Sequence, residues 1–189
     1  MPAPDLSLLG PLGALAGTWE GDEGLDVSFH NADGKVGDTP YRERVIMNPF
    51  GPVDNGQQCL YGLDYRMSAW RAGEEDPFHT EVGYWLWDAA NSQVMRCFMV
   101  PRGSVLIAGG TAAPDAKSFT MKAECGSTTY GILSNIYLDG TARTTAFEVT
   151  IDILGPDSWS YSETTWVDLT ATGDHHFAHT DRNVLRRVG

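Results

Sequence analysis

The feature that most constrains this chain is hydrophobic alternation with period two. In Phe119-Thr-Met-Lys-Ala-Glu-Cys125 the odd positions are apolar and the even ones polar; Phe147-Glu-Val-Thr-Ile-Asp-Ile153 repeats the pattern, with Phe147, Val149, Ile151 and Ile153 on one face. An extended strand sends successive side chains to opposite sides, so this period buries one face and wets the other. Ser158–Leu169 is rich in Trp, Tyr, Thr and Val, which suit a pleated surface, and Tyr41–Met47, Thr80–Trp87 and Gln93–Val100 also read as strands. Asp88–Ser92 and Gly155-Pro156-Asp157 read as turns. Helical spacing is confined to Leu6–Ala16, where Gly10, Pro11 and Gly13 weaken it. Strands do not alternate with helices, which argues against a parallel sheet. The expectation is an all-β fold, an antiparallel barrel or sandwich, with a closed barrel of about 8–10 strands preferred and a short helical segment at the N-terminus.

At 189 residues the chain fits one domain, 1–189, with the barrel proper from about residue 15 to 188. It carries 13 basic and 25 acidic residues, a formal charge of −12. That balance lacks the basic footprint of a nucleic-acid binder and is repelled by an anionic membrane surface. Cys59, Cys97 and Cys125 are far apart and odd in number, as expected of free thiols in a reducing compartment. Met1–Gly10 shows no secretory signal pattern, and no apolar run is long enough for a membrane span. The expectation is a soluble, cytoplasmic protein with a small-molecule ligand.

Hydrolase, P-loop, zincin and dinucleotide signatures are absent. Four segments remain. Gly17-Thr-Trp-Glu-Gly21 suits the first strand of a barrel, with Trp19 plugging one end. Pro77–Trp87, if extended, puts His79, Glu81, Gly83, Trp85 and Trp87 on one face, a wall suited either to a flat aromatic ligand with a polar corner or to a rim histidine. Val100-Pro-Arg-Gly103 places Arg102 where it either closes a pocket mouth over an anion or sits in a turn. The tail holds His175, His176 and His179. If helical, their spacing resembles a transition-metal site; if extended, His179 shares a face with Phe177, Asp181, Asn183 and Leu185 and is positioned as a haem-iron ligand. A solvated tail is the alternative.

Together these segments resemble the nitrobindins, haem-binding barrels within the fatty-acid-binding-protein-like and lipocalin-like group. Gly17-Thr-Trp19-Glu-Gly21 is similar to the family's G-x-W-x-G-x-G signature, except that Gly24 follows Gly21 by three positions instead of two. Phe78-His79 to Gly83-Tyr84 resembles its histidine-containing strand, Pro101-Arg-Gly103 with Gly109 its Pro-x-Gly turn, and His179 with Leu185-Arg186 its terminal strand. Extra length is expected at Asn31–Asp38 and Ala69–Asp76. The resemblance implies a barrel of roughly ten strands holding haem b in a shallow, partly open pocket, nitric oxide binding, and isomerisation of peroxynitrite to nitrate. It implies His179 as the iron ligand, His79 as a distal-side residue of any catalysis, and Arg143 near the haem. Trp85, from the cavity wall, and Trp19, Gly17 and Gly21, from the signature, are the further cofactor-binding candidates.

Two rivals share this fold: a barrel binding a lipid-like apolar ligand without iron, and a silent barrel filled by its own Trp and Phe side chains. Thiol titration of the denatured protein is expected to count three cysteines; a count of one would reveal a disulfide.

Overall fold

The alternating segments close into a barrel. The structure, a computed structural model, describes residues 4–188; positions 1–3, the start of the Met1–Gly10 stretch read above, and 189 lie outside the described residues. The strands are β1 Gly17–His30, β2 Lys35–Asp54, β3 Cys59–Arg71, β4 His79–Asp88, β5 Gln93–Val100, β6 Ser104–Thr111, β7 Ser118–Cys125, β8 Gly131–Leu133, β9 Ala142–Gly155, β10 Ser158–Leu169 and β11 Asp174–Arg187. Around the barrel they run β1-β11-β10-β9-β7-β8-β6-β5-β4-β3-β2, and β2 pairs back onto β1.

The sequence leads to about eight to ten strands, and there are eleven among the described residues. The additional piece is β8, three residues long, wedged between β6 and β7 and parallel to β7. Directly, β6 and β7 meet only at Gly109 and Lys122. A six-residue helix, α1 (Ile136–Thr141), follows; the periodicity gave no sign of it. The tail is neither helical nor solvated: β11 pairs with both β10 and β1 and closes the wall.

The departure in the glycine signature has a structural counterpart. The pairing of β1 with β2 shifts register between Gly21 and Gly24. A β-bulge absorbs the extra residue and changes which parity faces inward. Trp19 and Gly21 are buried before it, Gly24 and Asp26 after it. The segments expected to carry extra length, Asn31–Asp38 and Ala69–Asp76, lie at two connections. The β1–β2 hairpin runs on to His30 and Lys35 around a turn at 31–34, and Arg71–Phe78 forms the β3–β4 loop, where the Trp70 indole donates to the Glu75 carbonyl.

One end of the barrel is plugged. The N-terminal 3-10 helix, Leu6–Leu15, turns sharply at Gly10 and buries Leu9, Leu12 and Leu15 completely. Gly10 has φ +55 and lies against the Trp87 ring, where a Cβ would come within 2.4 Å of the indole. The Trp19 indole donates to the Leu15 carbonyl at 2.8 Å, its ring meets Trp159 edge-on, and the Arg187 guanidinium lies 4.2 Å from its centre. The opposite end is formed by the β1–β2, β3–β4, β5–β6 and β10–β11 turns and by the start of β9. Cys59, Cys97 and Cys125 are all unbonded.

Strand pairing is tightest around Gly83, where a Cβ would sit 1.9 Å from the Cys97 carbonyl oxygen and 2.7 Å from the Phe98 Cα. Those atoms are backbone and cannot rotate away. Gly83→Ala is expected to lower stability by about 1–3 kcal/mol, read from the midpoint of urea unfolding.

Candidate functional site at the open end of the barrel

Below the open end, the apolar faces of several strands carry charged residues. Burying a charge is costly without a partner. Arg96 of β5 supplies partners to both sides. Its guanidinium donates to Glu163 of β10 at 2.7 Å, to Glu81 of β4 at 2.6 Å and to the Tyr65 hydroxyl at 3.2 Å. It also lies 4.4 Å from the ring centre of Phe98 and 5.8 Å from that of Phe147. Tyr65 donates to Glu81 at 2.7 Å, and His79 reaches the other oxygen of Glu81 at 3.1 Å. This ionic layer spans the barrel and forms a floor beneath the mouth.

A second chain of hydrogen bonds runs along β2, β10 and β11. The Tyr41 hydroxyl donates to Asp181 at 2.5 Å and shares a 2.6 Å hydrogen bond with Tyr161. Tyr161 donates to Glu43 at 3.2 Å, and the Asn183 amide donates to the other Glu43 oxygen at 3.1 Å. Under the floor the space is filled. Between Glu43, Tyr65, Trp85, Arg96, Trp159 and Tyr161 the cavity is about 20 Å³, room for a water molecule. A larger depression, about 390 Å³, lies on the outer wall of β2, β3 and β4, over Ile46, Arg66, Val82 and Tyr84.

Five carboxylates are buried or half-buried here, and they do not share one protonation state. Burial drives Glu81 upward, but the Arg96 charge, with His79 and Tyr65, overrides it and holds the acid down at about 2. Burial lowers His79, and the Glu81 hydrogen bond and charge reverse this, so its ring holds a proton more tightly than an ordinary histidine. Glu43 is raised by burial to about 8, with the Tyr161 and Asn183 hydrogen bonds and the Arg96 charge offsetting this only in part. Burial and the nearby Glu163 charge raise Asp181 to about 9. Burial also lifts Glu163, despite Arg96. Asp26 is held below the ordinary carboxylate range: burial pushes it up, and His179 more than offsets this.

The structure brings two of the sequence candidates together at the mouth. His79 opens β4 and His179 lies on β11, both on inward-facing positions. Each side chain is about a third exposed, 38% and 35%. His179 donates from Nε2 to Asp26 at 2.5 Å. Tyr41, Phe78, Phe98 and Phe147 give the mouth aromatic walls, with Tyr41 and Phe78 edge to face at 5.8 Å and Phe98 and Phe147 tilted at the same distance.

The other candidates lie elsewhere. Trp19, Gly17 and Gly21 belong to the plugged end, where Gly17 adjoins the Arg187 guanidinium and Gly21 the Asn183 side chain. Trp85 is fully buried beneath the floor, 5.3 Å from the Arg96 guanidinium. Arg143 is exposed at the start of β9, with Cys125 at 3.4 Å and Asp139 at 3.4 Å. Arg102 sits in the β5–β6 turn, where its carbonyl accepts from Asn135. The three tail histidines diverge: His175 is exposed, His176 stacks on Trp166, and His179 turns inward. Among the described residues no three His, Cys, Asp or Glu side chains cluster to hold a metal ion alone. No helix among them is long and apolar enough to cross a membrane.

Sequence reasoning missed Glu43, Tyr65, Arg96, Tyr161, Glu163 and Asp181. Their signal was present: each is a polar residue on the inward parity of an otherwise apolar strand face.

A plugged barrel with a polar floor and an imidazole at its mouth defines a class of small-ligand barrels. Residues 8–187 match the THAP4-like, heme-binding beta-barrel domain family, and the chain belongs to that family. No curated protein matches the chain. Among solved structures it is similar to Rv2717c from M. tuberculosis, with a TM-score of 0.65 and 21% identity over 99% of both chains, a likeness of fold.

Because Glu43 is neutral in the fold and ionised in the unfolded chain near neutral pH, it costs stability as pH rises from its ordinary range to about 8. Glu43→Gln is therefore expected to be more stable than the parent at pH 8, with the difference shrinking toward pH 5, as read from urea unfolding at each pH.

Proposed function

We propose that the mouth binds haem b, with His179 as the iron ligand, and that the protein handles nitric oxide or peroxynitrite there. The observation carrying this reading is the position of His179: an imidazole about a third exposed, facing inward at the unplugged end of a barrel whose family is haem-binding. The donor set suits the group. Imidazole is an ordinary haem ligand, the aromatic walls suit a flat macrocycle, and the ionic floor limits it to a shallow seat. Once bound, ferric haem supplies a Lewis-acidic iron for nitrogen-oxide chemistry.

The chain's own residues do the rest. His79, whose ring holds a proton more tightly through its hydrogen bond to Glu81, presents a donor to an anion entering the mouth. Arg96 fixes Glu81 and so fixes His79. Arg143, exposed at the start of β9 at the same end, is the basic residue that would lie nearest the haem edge in this reading. Trp85, Trp19, Gly17 and Gly21 hold the wall and the plug that keep the mouth in shape. The filled interior speaks against the lipid-like alternative, since ligand cavities are typically roughly 300–1,000 Å³.

Hemin titration followed by the Soret band tests the reading. The parent protein is expected to form a saturable ferric complex, and His179→Ala to lose it. His79→Ala is expected to keep the complex and slow decay of peroxynitrite by the loaded protein. Binding unchanged in His179→Ala overturns the assignment of the ligand.

A further inference from the structure

Resting on the haem reading, we infer that Asp26 is a latch on His179, holding the ligating nitrogen off iron until the two separate. The contact joins strands β1 and β11, over a sequence separation of 153 residues. It exists because of the β1 bulge, which brings the even positions inward from Gly24 onward and so aims Asp26 into the mouth. Asp26 is 8% exposed, and among the described residues its side chain receives, apart from His179, the Ser28 hydroxyl at 2.5 Å.

The geometry makes the carboxylate a competitor. In carboxylate–histidine–metal triads the carboxylate takes one ring nitrogen and leaves the other for the metal. Here it takes Nε2. The remaining nitrogen, Nδ1, adjoins the ring's own attachment to Cβ, so a wide planar macrocycle reaches it with more crowding from the β11 backbone than it meets at Nε2. Ligation through Nε2 therefore requires the ring to leave Asp26. That breaks a charge-assisted hydrogen bond and leaves a mostly buried carboxylate with Ser28 alone. The latch makes ligation weaker than the mouth's shape and the imidazole alone would give.

Two measurements test this. In the haem-free protein, the Nε2–H proton of His179 is expected as a strongly downfield NMR resonance, lost in Asp26→Ala; its absence from the parent protein overturns the latch. In hemin titrations, Asp26→Ala is expected to bind about tenfold more tightly than the parent, in line with loss of one hydrogen bond to a charged group. Asp26→Asn, which keeps the side chain's shape but not its charge, is expected between the two, and it covers the case in which the alanine variant fails to fold. The double variant Asp26→Ala/His179→Ala should lose the gain. Equal or weaker binding by both Asp26 variants, with His179→Ala still losing hemin, overturns the latch and leaves the haem reading standing. Identical binding by the parent and His179→Ala overturns His179 as the iron ligand, and the latch with it; no saturable complex in the parent overturns the haem reading itself.

Discussion

Arg96 reaches across the barrel and answers carboxylates from two other strands, Glu81 on β4 and Glu163 on β10. Much of the interior is organised around that guanidinium. Removing its charge would leave Glu81 buried and ionised beside Tyr65, or force it to take up a proton and release His79. Removing one buried partner usually costs more than the pair contributes, because the remaining charge is left uncompensated. The aromatic rings of Phe98, Phe147, Trp85 and Tyr65 surround the same cation, so packing and charge are settled by one side chain. The layer also divides the barrel into a filled lower part and an upper mouth.

That division explains why two sets of acids behave differently in one interior. Glu81 lies on the cation and stays ionised. Glu43 and Asp181 belong to the tyrosine chain, where hydroxyls and an amide supply hydrogen bonds but no positive charge, and both keep their protons at neutral pH. The interior thus accommodates several acidic side chains in different states, holding Glu81 ionised on the arginine and leaving Glu43 and Asp181 neutral.

The fold was legible where alternation was clean. β7, β9 and β10 follow from it directly, and β4 with β5 follows from two strand patterns around a turn. β3 carries an alternation in Leu63, Tyr65, Met67 and Ala69 between the Asn55-Gly56 and Ala72-Gly73 turns, a strand the sequence reading above does not include. β8 and α1 are too short to show a period. The mouth was half legible. His79 and His179 stand out as histidines at strand positions, and family resemblance gave them roles. Asp26 could not be paired with His179 by any local pattern, since long-range register, and a bulge within it, decides which strand positions meet. Arg96 was open to reasoning, because a charged residue between Val94 and Phe98 on one strand face needs a buried partner.

A closed barrel is only as continuous as its least bonded seam. Most neighbouring strands here share long ladders, but β6 and β7 meet at one residue pair and are otherwise joined through three residues of β8. Next to that wedge, Leu133, Ile136 and Tyr137 stand largely in solvent and add little packing to hold it. Local opening free energies follow the number of protected hydrogen bonds and buried contacts. Local opening of the wall is therefore expected first on this side. The thinnest seam of the hoop lies away from β1 and β11, whose pairing at Leu25–Val27 sets Asp26 beside His179.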